Sequence, residues 1–110
     1  MKTSVETVEG KCLIKVEGRL DTLTAPELEQ VVVQVINEGQ DKIILDLSQA
    51  EYISSAGFRV FIVAQKKTKP TGGQVVLMGV NDEIKEIFDI SGFTRLFTFS
   101  ATLENSISQF

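Results

Sequence analysis

Histidine is absent from this chain of 110 residues, and cysteine occurs once. The first absence removes the commonest general base and metal ligand near neutral pH. The second excludes a disulfide framework. The N-terminus, MKTSVETVEGK, also lacks the apolar core of an export signal, so the expected location is cytoplasmic. No apolar run approaches the ~20 residues that a membrane-spanning helix needs. Positive charge is scarce as well: 11 Lys and Arg stand against 15 Asp and Glu, a net charge of −4 at pH 7. Nucleic acid and anionic membranes reward concentrated positive charge, so neither is expected as a partner. The densest basic run, KKTK at 66–69, lies where a helix should end before Pro70, and interaction with the helix dipole accounts for it. Cys12 alternates with Ile14 and Val16, which turns it toward a core, and no neighbour is placed to activate it. Catalytic residues, bound metal and cofactor are therefore not expected, and the chain is not read as an enzyme.

What is present fits one globular domain over residues 1–110: 43% hydrophobic residues, 24% charged, and no repeat or linker. Two strands are expected at 4–8 and 11–17, with Glu9–Gly10 as their turn and Gly18 ending the second. TAPELEQVVVQVINEG predicts a helix. Thr24 and Glu27 form a capping-box pattern, Pro26 falls in the first turn, and Leu28, Val31, Val32, Val35 and Ile36 make a stripe. KIILDL is apolar enough for a central strand covered on both faces. A helix over about 55–67 follows, then a second central strand in QVVLMGV. NDEIKEIFDI predicts a short helix capped by Asn81 or Asp82, with Ile84, Ile87 and Phe88 facing the core. LFTF and TLENSISQF supply a last strand and a last helix. The order β-β-α-β-α-β-α-β-α predicts an α/β fold: a mixed, mostly parallel sheet of about four or five strands flanked by about four helices. In such sheets, sites gather at the carboxyl ends of the strands. GRLDTLT and YISSAG occupy two such ends.

The second of these stretches contains two hydroxyls where a cap needs one. Ser54 suits the N-cap, its side chain accepting a bond from an early helix N–H. Ser55 is then the first helical residue, projecting among N–H groups that have no partner in the helix, a favourable place for phosphate. Ser54 remains the alternative acceptor. Gly57 would let another molecule approach, at some cost to the helix. Phe58 and Arg59, beside Ser55, are candidates for partner contact. The helix is apolar around most of its circumference, which a small two-layer domain would struggle to cover, so part of it is expected to meet a partner. No GxxxxGK phosphate loop is present, and Asp46 lacks the acidic pair and late lysine of a phosphoaspartate site.

GRLDTLTAPELE, IILDLSQAEYISSAGFRVF, GGQVVLMGV and IKEIFDISGFTRLFTF, in that order and spacing, resemble the STAS domain family. Within it they are similar to the stand-alone bacterial anti-sigma factor antagonists. The resemblance covers nearly the whole chain. It implies a STAS-like fold and a protein that binds an anti-sigma factor when unphosphorylated, freeing a sigma factor. The anti-sigma factor is also the serine kinase that inactivates the antagonist, and a phosphatase resets it. The family signature is Asp-Ser-Ser-Gly or Asp-Ser-Thr-Gly. Aligned on Gly57, its phosphorylated serine is Ser55, its Asp falls on Ser54 and its second hydroxyl on Ala56. Asp21 matches the acidic residue of the family's G-x-L-D turn, so Asp21, Thr22, Ser54, Ala56, Gly57, Phe58 and Arg59 are the implied partner surface. Arg19 stands where some members carry Glu. A monomer is expected. Because Ser54 replaces the Asp, the alternative is a non-switching STAS module, a structural subunit of a larger assembly such as a lipid-transport complex.

Overall fold

The computed structural model describes all 110 residues. Two strands open the chain as a hairpin, β1 (Lys2–Val8) and β2 (Lys11–Leu20), joined by Glu9 and Gly10. Both turn residues have positive φ, 49° and 78°, the geometry that matches the twist of a two-residue hairpin. From there strands and helices alternate: α1 (Ala25–Asn37), β3 (Lys42–Ile53), α2 (Ser55–Thr68), β4 (Gln74–Met78), α3 (Asp82–Ser91), β5 (Thr98–Ser100) and α4 (Leu103–Ser108). The five strands lie side by side in chain order, β1 antiparallel to β2 and every later pair parallel. The expected order and mixed sheet are both present.

A purely sequential parallel order, with right-handed crossovers, sends each connecting helix to the same face. Residues of α1, α2 and α3 accordingly share one core with Ile14, Ile43, Leu45, Val75 and Leu77 of the sheet. Only α4 covers the other face, where Leu103, Ile107 and Phe110 pack on Leu13, Ile44 and Met78. This is why KIILDL is apolar throughout: Ile43, Ile44 and Leu45 alternate between two covered faces, and all are 0% exposed. Phe88 anchors the main core. It meets Phe58 at 4.6 Å, Phe99 at 5.2 Å and Phe97 at 5.7 Å, each edge-to-face. Such pairs contribute about 0.5–1.5 kcal/mol each beyond their buried area.

Several element boundaries differ from the sequence reading. β2 does not stop at Gly18 but passes through it at φ 94° to Leu20. β3 does not end near Leu47; it continues to Ile53. The register explains the hidden half of β3. Lys15 to Glu17 on β2 spans Asp46 to Gln49 on β3, and Gly18 to Arg19 spans Ala50 to Tyr52, so β3 carries an extra residue twice. The Asp46 carboxylate braces the first bulge, accepting bonds from the Ser48 N–H at 3.0 Å and the Ser48 hydroxyl at 2.6 Å. With two bulges, Leu47, Ala50 and Ile53 all face the core at intervals of three rather than two. Ile87 is not a core residue: it is 40% exposed, while Ile84 and Phe88 on the same helix are buried. Leu96 lies in a 3-10 turn before β5 rather than in the strand. At α3 it is Asn81 that caps, accepting from the Ile84 N–H at 2.8 Å.

Candidate functional site

Leu20, the last residue of β2, pairs with Ile53, the last of β3. The two strands therefore finish together, and their following segments meet. The Ser54 N–H donates to the Leu20 carbonyl at 2.9 Å. That bond ties the start of α2 to the turn holding Asp21 and Thr22, so the structure joins the two stretches that the sequence singled out.

The Asp21 turn is closed by its own side chains. The Asp21 carboxylate accepts from the Leu23 N–H at 3.0 Å and the Thr24 N–H at 3.1 Å. The Thr24 hydroxyl donates to the Arg19 carbonyl at 2.8 Å and accepts from the Asp21 N–H at 2.9 Å. These bonds replace the expected capping box: Thr24 sits at the N-cap of α1 but makes no side-chain cap bond. A hydroxyl committed to closing the preceding loop is no longer free to bond forward into the helix. The Thr24 N–H bond, followed by those from Leu23 and the Thr24 hydroxyl and by the Arg19 charge, holds the Asp21 carboxyl below its ordinary pKa. Arg19 approaches Asp21 at 4.0 Å and lays its guanidinium 4.4 Å from the centre of the Tyr52 ring, its partner across the strands. Thr22 is exposed, and Leu23 beside it is 86% exposed.

At the other half of the site, Ser55 is the first residue of α2 and is exposed. Arg59, four residues on, is also exposed and lies on the same side of the helix. Ser54 occupies the N-cap with extended backbone, as expected, but its side chain makes no cap bond. Its hydroxyl oxygen is buried without a hydrogen-bond partner. Gly57 does not open the helix to another molecule. A Cβ there would lie 2.8 Å from Leu20 Cδ2 and 2.9 Å from Ile53 Cγ2, so the missing side chain lets α2 seat on the two strand ends. Phe58 is likewise a core residue, 6% exposed and packed against Phe88. Ala56 is half-buried. The position of α2 between α1 and α3 buries Val60, Phe61 and Ala64 as well, while Ile62 and Val63 stay partly exposed, so the fold covers most but not all of the helix.

A groove of about 400 Å³ adjoins the two serines, lined also by Tyr52, Phe58, Arg59 and Ile87. A broader depression of about 470 Å³ on the outer side of α1, among residues such as Glu29 and Gln34, is remote from these residues in sequence and includes a single hydrophobic side chain. The Arg19–Tyr52 stack and the groove had no signal in the sequence, because the first depends on strand register and the second on how α2 packs against α3. Away from this site, Cys12 is 2% exposed, and burial, followed by the charge of Glu38, pushes its thiol pKa up, opposite to what a nucleophile needs.

Residues 2–106 match the family model described as the STAS domain. A Bordetella bronchiseptica protein provisionally named an anti-sigma factor antagonist, BtrV, is 29% identical over 110 residues, covering 100% of this chain and 95% of its own length. The anti-sigma-B factor antagonist of Staphylococcus epidermidis is 32% identical over 98 residues, covering 87% of this chain and 91% of its own. Among solved structures, an anti-sigma factor antagonist from Mycobacterium paratuberculosis superposes with a TM-score of 0.89 at 24% identity, covering 98% of this chain and 92% of that one.

Proposed function

The chain belongs to the STAS domain family, and from that premise we propose that it is an anti-sigma factor antagonist switched by phosphorylation of Ser55. Unphosphorylated, it binds an anti-sigma factor in the cytoplasm through the start of α2 and the Asp21–Thr22 turn, and so releases a sigma factor. The anti-sigma factor acts as the serine kinase, a phosphatase restores the free hydroxyl, and the antagonist works as a monomer without catalysis of its own. The observation that carries the reading is the exposed Ser55 hydroxyl at the first residue of α2, fastened beside the Asp21 turn by the Ser54–Leu20 bond.

Charge explains the switch. A phosphate adds about −1.5 to −2 at pH 7. Within the free protein the unpartnered N–H groups of α2 and the helix dipole tolerate it. At an interface the same group adds bulk and loses water, and together with the Asp21 carboxylate it concentrates negative charge on the docking surface. A coupling of about 1–3 kcal/mol lowers affinity roughly 5- to 150-fold. No rearrangement of the fold is required.

The test is titration of the cognate anti-sigma factor with the wild-type protein, Ser55→Ala and Ser55→Asp. The proposal expects Ser55→Ala to bind like the unphosphorylated wild type and Ser55→Asp to bind at least several-fold more weakly. Equal binding by the two variants contradicts it and favours a non-switching STAS module.

A further inference from the structure

Beyond the serines, the groove follows α2 along its length. Ser55, Arg59, Ile62 and Lys66 recur at three- and four-residue steps and form one stripe of the helix, which Lys69 extends at the C-cap. The first stretch, between α2 and α3, is walled by Tyr52, Ile62, Ile87 and Phe93. A second stretch of about 180 Å³ starts at the same Ile62 and runs past Leu96 to Lys66 and Lys69. The Gln65 side chain bonds the Leu96 carbonyl and fixes that far wall.

Two properties set this track apart from the rest of the surface. It gathers exposed apolar side chains: Tyr52 at 41%, Ile87 at 40% and Leu96 at 50% line it, and Ile90, at 79%, lies one helical turn beyond Ile87. An apolar surface concentrated in this way marks an interaction site. It is also locally basic in a chain of net charge −4. Arg59, Lys66 and Lys69 line it, and no acidic side chain does. Asp21, in the turn beside Ser55, and the acids of α3 are outside both linings, and Asp89 on α3 is engaged by Lys85 and Thr94.

We infer that this groove binds an acidic amphipathic helix, its apolar face on Ile62, Ile87 and Leu96 and its carboxylates on Arg59, Lys66 and Lys69. The groove is continuous with the candidate site, so the helix belongs to the same partner. That identity rests on the proposed function, whereas the chemistry of the groove does not. Helix-in-groove recognition needs apolar anchors at three- and four-residue steps, and α2 and α3 supply their counterparts. Complementary charge then fixes direction and excludes basic helices.

The experiment uses the ¹⁵N-labelled full chain and two synthetic helices of about five turns. Both carry leucine on one face; the other face is glutamate in one peptide and lysine in the other. The glutamate peptide is expected to shift the amides of Arg59, Ile62, Lys66 and Ile87 and to bind more weakly as salt rises. The lysine peptide, Ile87→Asp and Lys66→Glu should each lower affinity about tenfold, the scale of one lost anchor. Ile87 is exposed enough for the substitution to leave the fold intact. The titration uses unphosphorylated protein throughout and needs no kinase, so loss of the phosphate switch and loss of the groove register separately. Equal binding of the two peptides overturns the inference. So do shifts confined to the open face near Lys15, or groove shifts of the free protein that grow with its concentration, which would make a second copy the occupant.

Discussion

Gly57→Ala separates two explanations of a glycine in the first turn of α2. If the glycine served an incoming molecule, alanine would stabilise the free protein, because it favours a helix by up to ~1 kcal/mol. The structure gives the opposite sign. The new methyl would lie 2.8 Å from Leu20 Cδ2, 2.9 Å from Leu20 Cγ and 2.9 Å from Ile53 Cγ2. Carbon atoms prefer about 3.5–4.0 Å, so α2 or Leu20 must move by several tenths of an ångström. Leu20 is 0% exposed and Ile53 2%, which leaves neither an easy retreat. Overpacking of this kind costs about 1–3 kcal/mol, and subtracting the helix gain leaves a net loss of up to about 2 kcal/mol. Urea unfolding followed by circular dichroism should show a lower midpoint with an unchanged slope. Thermal unfolding should fall by roughly 4–8 °C per kcal/mol. An alanine variant as stable as the wild type, or more so, refutes the packing argument. A displaced Leu20 also drags the Ser54–Leu20 bond and the Asp21 turn, so residual folded protein should bind its partner more weakly.

Two further substitutions test the site's local structure. Ser54→Ala removes a buried hydroxyl that makes no bond, so stability should stay within about 0.5 kcal/mol of wild type or rise. A loss of about 1 kcal/mol or more in urea unfolding would mean that the hydroxyl caps α2 after all. Asp21→Ala should lower stability at neutral pH and much less in acid. The folded carboxyl lies below its ordinary value of 3.8, so its contribution is present above that value and disappears as pH falls through the folded one. The gap between wild type and variant should therefore narrow as pH falls below about 4; a gap that stays constant from neutral pH into acid would contradict a role for the ionised carboxylate.

The order of elements was legible because most of them keep their native periods. α1 shows its stripe, and Leu28, Val32 and Val35 are buried where it predicts. β4 and the first half of β3 are continuous apolar runs, as two covered faces require. The second half of β3 was not legible, because two bulges re-phase it and turn a strand into a three-residue pattern of Leu47, Ala50 and Ile53. The two segments of the candidate site were also visible in the sequence, but the duties of their residues were not. Thr24 and Glu27 have the spacing of a capping box, yet the Thr24 hydroxyl goes to Arg19 and Asp21. Phe58 sits beside Ser55 in sequence but points at Phe88 from α3, and Gly57 faces two strand ends. Each of these depends on which elements lie alongside, which local spacing does not encode.

Fragment mapping of residues 52–59, by mass spectrometry on the protein purified from its own cells, tests the central claim most directly. Phosphate is expected on Ser55 in a fraction of molecules that changes with growth condition, and at no position of this segment in Ser55→Ala. Phosphate on Ser54 instead, or no phosphate on either serine under any condition, would contradict it.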